Sequence, residues 1–127
     1  MSMEATIRAA LAADVPLMAL AQGVSVGELP QGVTLPWVTL NRIDTPRRHA
    51  FGPDNPVIRS KPRFQFDVWT DTGVSASIDA AAVMDVLIPA VCALPYAVEL
   101  VTQHGRRDQA TDYWHEQLDA TVAHAGA

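Results

Sequence analysis

The stretch RFQFDVWTDTGVSASIDAAAVMDVLI, residues 63–88, decides the fold because the spacing of its apolar residues changes partway along it. Up to Trp69, large apolar residues alternate with polar ones, which is typical of a strand with one buried face. Phe64, Phe66 and Val68 share that face, and Trp69 lies on the other. A turn signal, DTG, follows, and apolar residues then recur every three or four positions. The stretch therefore predicts a two-faced strand that leads into a helix packed on its apolar face.

The predicted helix has Thr72 as its candidate N-cap, since a threonine side chain can accept a hydrogen bond from a free backbone amide. Pro89 should kink the helix or shorten its last turn. The single cysteine, Cys92, is flanked by apolar residues and is predicted to be a packed thiol. The apolar positions at helical spacing are Ile78, Ala81, Met84, Leu87, Ile88 and Val91.

The segments before this stretch predict a helix and two strands. MEATIRAALAAD places Met3, Ile7 and Leu11 on one helical face, and Asp14 is a good N-cap for a second short helical turn. GVSVGELPQGVTLPWVTLNRI predicts a brief strand, a turn and a second strand at about residues 37–43. Residues 44–62 contain four prolines and no usable periodicity, so they are predicted to form a long loop.

The segments after the stretch predict two more strands. Tyr96–Thr102 is the first, and a polar turn region separates it from the second. In YWHEQLDATVAHA, Trp114, Leu118, Ala120 and Val122 share one face. We predict a single α+β domain over residues 1–127, with a largely antiparallel four- or five-stranded sheet, two helices packed on one face, and the order α-β-β-β-α-β-β.

Composition limits the class of protein. Hydrophobic residues make up 49% of the 127 residues, which is too many for a disordered chain. No apolar run approaches the ~20 residues that cross a bilayer, and Met1–Glu4 lack the basic start of a secretory signal. We therefore expect a protein that stays inside the cell that makes it, with no membrane partner.

Charge is segregated along the chain. Residues 42–63 carry six basic side chains against two acidic ones, or +4, while the remainder carries three against twelve, or −9. A basic loop on an acidic body suits contact with an acidic protein surface, including a second copy, better than it suits nucleic acid. An outward Trp69 also indicates an interface, unless the long loop folds over it. The predicted contact residues are Arg47, Arg48, His49, Phe51, Arg59, Lys61 and Trp69.

We predict no catalytic, metal-binding or cofactor-binding residue. GVSVG at residues 23–27 matches the G-x-S-x-G form of a hydrolase elbow around Ser25, but that elbow needs a strand before it and a helix after it. The four histidines, expected on the surface or in loops, lack the i, i+4 spacing of a zinc pair; they are His49, His104, His115 and His124. A catalytic grouping of His115 with Asp112, Glu116 or Asp119 is no better supported than on any polar strand.

Two pieces, LPQGVTLPWV at 29–38 and FQFDVWTDT at 64–72, make residues 4–94 resemble the tail-completion family of bacteriophages and gene transfer particles, the tail terminators or tail-to-head joining proteins. The resemblance implies a ring, commonly a hexamer, that caps the tail tube, ends its polymerisation and docks the head connector. Its partners would be its own copies, the tail tube protein and the head connector or stopper. DNA would pass through the lumen unread. The protein would be made in the bacterial cytoplasm and would lie at the head–tail junction of the particle.

Three other functions stay open from the sequence. The first is a head-side stopper or connector of the same kind of particle. The second is a small serine hydrolase that uses Ser25, and the third is a monomeric domain that binds a small molecule.

Overall fold

The structure is a computed structural model that describes residues 2–44, 47–49, 57–60, 62–71, 73 and 75–123. Three helices and seven strands occur in these ranges. In chain order they are α1 (Met3–Ala12), α2 (Val15–Met18), β1 (Val24–Val26), β2 (Trp37–Asp44), β3 (Arg47–His49), β4 (Val57–Ser60), β5 (Arg63–Thr70), α3 (Ala76–Cys92), β6 (Ala97–Arg107) and β7 (Trp114–Ala123).

The central sheet has five strands in the order β1-β2-β5-β7-β6, and β3 and β4 form a separate two-stranded sheet. The β5 strand lies in the middle, antiparallel to both β2 and β7, and β6 is antiparallel to β7. The α+β class and the five-stranded sheet agree with the sequence prediction. The sheet strands and the two longer helices also follow the predicted order, and α2 lies where a second short helical turn was predicted. The structure adds β3 and β4 to that order.

The β1–β2 pair is parallel, which the sequence analysis did not anticipate. Parallel neighbours need a connection that returns along the sheet, because a tight hairpin always reverses direction. Residues 27–36 provide this return, and they bring the chain back to the beginning of β1. Gln22 N donates to Pro36 O at 2.7 Å, and Val38 N donates to Gly23 O at 3.0 Å.

The core lies between one face of the sheet and the helices. On β5, Phe64, Phe66 and Val68 are fully buried, as the alternation predicts. Burying each such side chain contributes about 1.5–3 kcal/mol. Helix α1 adds Ile7 and Leu11 to the same core cluster. The neighbouring strands and α2 complete it with Leu17, Val38, Leu40, Leu118, Ala120 and Val122.

Helix α3 packs on the sheet with a face that differs from the predicted one. Met84, Leu87 and Val91 are buried, but Ile78 is 70% exposed. Ala81 is exposed as well, and Ala76, Ala80, Val83 and Ala90 are buried in place of these two. The helix is rich in alanine and apolar on most sides, so apolar spacing alone did not distinguish neighbouring faces.

The ends of α3 also correct the prediction. The helix begins at Ala76 with Ser75 as its N-cap, three residues after the predicted cap, Thr72, which lies outside the described residues. At the other end the helix passes through Pro89 and ends at Cys92 instead of being shortened. Because Cys92 lies on the outer side of the last turn, its thiol is exposed and not packed.

The predicted loop at residues 44–62 contains the strands β3 and β4, which corrects that prediction. The β3–β4 pair has the same register as the β2–β5 pair. A search for local periodicity does not reveal such pairing between distant residues. The short helix α2 begins where the sequence indicated, because Asp14 Oδ1 accepts from Leu17 N at 2.9 Å. None of the helices in the described ranges is long and apolar enough to span a membrane.

Candidate assembly surface

The strands β3 and β4, which we call the basic hairpin, continue the β2–β5 ladder beyond the sheet. Asp44 pairs with Arg63, and three residues farther along each strand Arg47 pairs with Ser60, so the two ladders share one register. Among the described residues, the last β7 contact on this segment is the hydrogen bond from Val122 N to Pro62 O at 2.9 Å, and the β1–β2 pairs end at Leu40. The basic hairpin is therefore a separate two-stranded sheet that shares its register with β2 and β5.

Four of the seven predicted contact residues lie on the basic hairpin, with Arg47, Arg48 and His49 on β3 and Arg59 on β4. Arg48 and Arg59 occupy directly opposed positions in the ladder. The other two predicted residues of this segment, Phe51 and Lys61, lie outside the described residues.

Two cations of the basic segment are paired within the body of the molecule. Arg42 Nη2 lies 2.7 Å from Glu4 Oε1, and Arg63 Nη2 lies 2.9 Å from Asp119 Oδ2. Burial by itself raises the pKa of Glu4, but the hydrogen bond and charge of Arg42 outweigh it, so this pKa lies below its ordinary value. The remaining excess of positive charge is on residues 44–62, where four basic residues stand against two acidic ones.

The seventh predicted contact residue, Trp69, lies on the sheet face opposite the core and is half-buried there. Its ring stacks on the His115 imidazole, with centroids 4.3 Å apart and planes 2° apart. Trp69 Nε1 donates to Thr39 Oγ1 at 3.1 Å. The indole is thus held in one orientation from both sides, with Thr39 on β2 and His115 on β7.

A buried histidine–aspartate pair adjoins this tryptophan, and the prediction of surface histidines is wrong for His115. His115 Nε2 lies 2.6 Å from Asp67 Oδ1, and both residues are less than a tenth exposed. When Asp67 is a carboxylate it can only accept, and Nε2 is then the donor of this hydrogen bond. Gln65 Nε2 also donates to Asp67, at 3.0 Å to Oδ1 and 2.9 Å to Oδ2. The described partner of His115 is Asp67, and not the Asp112, Glu116 or Asp119 considered from the sequence.

A second polar cluster surrounds Asp119, farther along the same face. Asp119 is buried and accepts hydrogen bonds from Arg63 Nη2 at 2.9 Å, Thr102 Oγ1 at 3.3 Å and Gln117 Nε2 at 3.1 Å. Arg63 Nε, by contrast, is buried without a hydrogen-bond partner among the described residues. These bonds join β5, β6 and β7 on the face away from the core. They make that face a fixed polar platform.

A groove lies between this platform and the residues 27–35 that connect β1 to β2. Its volume is about 540 Å³. Gly27 and Gly32 have φ values of 97° and 73°, which side-chain-bearing residues rarely adopt, and they let the connection turn back over the sheet. Asn41 Nδ2 donates to Gly27 O at 3.2 Å and ties the connection to β2. The groove is therefore a built feature of the β1–β2 crossover.

The lining of the groove combines apolar walls with a polar floor. The walls are formed by Leu29, Pro30, Val33, Leu35, Trp69 and Tyr113, and the floor by Thr39, Asn41 and Asp67. Its charged lining residues are Glu28 and Asp67, both carboxylates. Near the Tyr113 end, hydrogen bonds from Thr111 to Asp108 hold the pKa of Asp108 below its ordinary value.

Sequence reasoning missed the groove, although both segments that form it had been singled out. Residues 29–35 belong to LPQGVTLPWV, and Asp67 and Trp69 belong to FQFDVWTDT. The first segment was interpreted as a turn because its glycines and prolines interrupt any period. The available signal was its apolar content: Leu29, Val33 and Leu35 are unusual in a solvated turn.

A comparison with protein families decides the identity. The model of the family "Tail completion protein gp17" matches residues 5–124, nearly the whole chain. The chain belongs to the tail completion protein family. The resemblance found in the sequence is confirmed, and the chain is a structural component of phage-type particles.

A solved structure shares the fold of this tail completion protein. It is a chain of the "Virion of native gene transfer agent (GTA) particle", with a TM-score of 0.70 and 19% sequence identity. The match covers 95% of this chain and 94% of that one. A search of curated proteins finds no match.

The tail completion family is a structural family and not a family of enzymes, and the surroundings of Ser25 agree with this. Ser25 lies within β1, and its Oγ accepts a hydrogen bond from Trp37 Nε1 at 3.0 Å. Its strand is followed by the crossover at residues 27–36 and then by β2, where a nucleophile elbow requires a helix. Among the described residues, no group of three or more histidine, cysteine, aspartate or glutamate side chains could hold a metal ion.

Proposed function

We propose that this tail completion protein forms a ring of six identical copies that caps the head-proximal end of a tail tube. The ring ends tube polymerisation and joins the tail to the head connector. The observation that carries the proposal is the family match over residues 5–124. The shared fold with a chain of a gene transfer agent virion supports a place in such a particle. Within the particle, the proposed place is the junction of head and tail.

Two features of the molecule support assembly from identical copies. A ring needs two different, complementary surfaces on every subunit, so that each copy contacts the next in the same way. The basic hairpin extends beyond β1 and β7 and carries an excess of positive charge. The rest of the chain is acidic, and opposite charges favour head-to-tail contact and steer association.

The charge of the whole chain also suits a passage for DNA. The formal net charge is −5. Tight binding to a DNA backbone requires several cations that displace counterions from phosphates. A ring made of such subunits would let DNA pass through its lumen without holding or reading it.

The proposal is tested with the double variant Arg47→Glu and Arg48→Glu. The variant should fold like the natural protein but fail to form rings on purified tail tubes, as counted by electron microscopy of tube ends. The matched control is Arg106→Glu and Arg107→Glu on the exposed strand β6, which makes the same change in charge. If the hairpin variant capped tube ends normally, or if the control lost capping equally, the basic hairpin would not be the assembly contact.

The head-side stopper remains the rival within the same particle. Purification of the tagged protein from cells that assemble particles separates the two roles. A tail terminator should copurify with the tail tube protein, whereas a stopper should copurify with portal or adaptor proteins and leave tube ends bare.

A further inference from the structure

We propose that the groove receives the basic hairpin of a second copy of this chain. The inference rests on the proposed ring and identifies the contact by which neighbouring subunits would hold one another. The groove and the basic hairpin would be the two complementary surfaces that a head-to-tail ring requires.

The chemistry of the two surfaces is complementary. The groove has apolar walls, its charged lining residues are the carboxylates Glu28 and Asp67, and Glu28 is exposed. Since Asp67 is already bonded to His115 and Gln65, Glu28 is the carboxylate that is placed for an incoming cation. The hairpin segment RRHAFGPDNPVIRSK, residues 47–61, combines basic residues with apolar ones. An apolar and acidic groove therefore matches an apolar and basic hairpin.

The topology makes the occupant a neighbour's hairpin and not the chain's own. The hairpin leaves the sheet at the Asp44–Arg63 pair and continues the ladder outward. The groove lies in the other direction along the same two strands, over Thr39, Asp67 and Trp69. Trp69 is six residues from Arg63 along β5, which corresponds to about 20 Å of extended chain. A hairpin that keeps its register points away from its own groove.

Each copy therefore carries the basic hairpin at one end of the β2–β5 pair and the groove at the other end. Such a contact is heterologous, and repeating it either closes a ring or produces a filament. The groove volume of about 540 Å³ lies within the range of pockets that enclose a ligand, and so it can take several side chains of a hairpin.

Cysteine cross-linking between two different variants tests the contact. Both are made in the background Cys92→Ser, which removes the native thiol. One carries Gln31→Cys, at an exposed residue of the groove lining, and the other carries His49→Cys, on β3. The two proteins are mixed on tail tubes and oxidised. We expect a disulfide-linked dimer that contains one chain of each kind, identified by mass spectrometry.

The control replaces Gln31→Cys with Ala82→Cys, an exposed position on α3, on the opposite side of the sheet. It should yield at least tenfold less of the mixed dimer. Rings without the Gln31–His49 link would overturn the groove assignment while leaving the proposed function intact. Tube ends without rings would refute the proposed function. If the Gln31–His49 link nevertheless formed between the two variants, it would still support the contact between groove and hairpin.

A charge exchange gives a second measurement of the same contact. Glu28→Lys and Arg48→Glu should each weaken subunit association about threefold to fivefold, as expected for a surface ion pair. Combining the two in one chain should restore most of the loss. Asp85→Lys, on the exposed side of α3, makes the same change in charge as Glu28→Lys and should leave association unchanged. Strictly additive effects of the two exchanges would contradict a direct contact.

Discussion

Gly23 and Trp37 illustrate at the scale of single residues how tightly the parallel strands β1 and β2 approach each other. A Cβ atom added at Gly23 would overlap the Trp37 ring, whose Nε1 is already fixed by Ser25. Gly73, in contrast, has no described atom within 4 Å of the corresponding position, and its φ is not in the left-handed region. Because the two glycines differ in what surrounds them, alanine substitutions at the two positions can be compared directly.

We expect Gly23→Ala to lower the free energy of unfolding by about 1–3 kcal/mol, because the indole would have to leave its hydrogen-bonded position. The control Gly73→Ala should be neutral or stabilise by up to about 1 kcal/mol, since it only restricts the unfolded chain. Urea denaturation followed by circular dichroism measures both. Equal stabilities of the two variants would show that the Trp37 contact is unimportant.

The Asp67 carboxylate supports the polar platform through His115 and Gln65. In Asp67→Ala, the buried imidazole N–H would lose its acceptor, which costs about 1–3 kcal/mol in the free energy of unfolding. The matched control Asp85→Ala is exposed on α3 and should change stability by less than about 0.5 kcal/mol. If both variants unfolded at the same urea concentration, the histidine–aspartate pair would have no structural role.

At the scale of elements, the sequence predicted those parts whose pattern is local. The alternation in β5 identified its buried face correctly, and the Asp14 cap located α2. The face of α3 was only partly predicted, because a helix rich in alanine has no sharp polar side. The strands β3 and β4 and the parallel β1–β2 pair escaped prediction because they depend on pairing between distant segments.

The groove and the His115–Asp67 pair were missed for the same physical reason. Asp67 and His115 are separated by 48 positions in sequence, and only the β5–β7 register brings them together. Their residue types gave no sign of a partner. A sequence shows which face of a strand a residue occupies, but it does not show which strand lies beside it.

The shared register of the basic hairpin and the sheet leads to a prediction about the hairpin as a separable element. Replacing residues 46–61 by Asn–Gly, a sequence that favours a two-residue turn, should leave the sheet folded, because β2 and β5 are already adjacent and antiparallel. The circular dichroism spectrum and the cooperativity of unfolding should persist. Capping of tail tubes should be lost, and an unfolded variant would show that the hairpin is needed for folding.

At the scale of the whole molecule, assembly and DNA should respond differently to salt. Contact between a basic hairpin and an acidic body is screened by ions, so raising NaCl from about 50 to 500 mM should reduce the fraction of capped tube ends. At about 150 mM, the free protein should show no binding to fluorescent duplex DNA in anisotropy measurements, given its net charge of −5. Micromolar affinity for duplex DNA would contradict the proposal that DNA passes through the ring without being held.

The shared register of the β2–β5 pair and the basic hairpin also determines how the molecule carries mechanical load. A pull on the hairpin along its length is directed along β2 and β5, perpendicular to the hydrogen bonds between them. Those bonds are then strained together instead of opening one after another like a zipper. Both strands are held from outside as well, by β1 and β7, so tension on the hairpin spreads across the sheet.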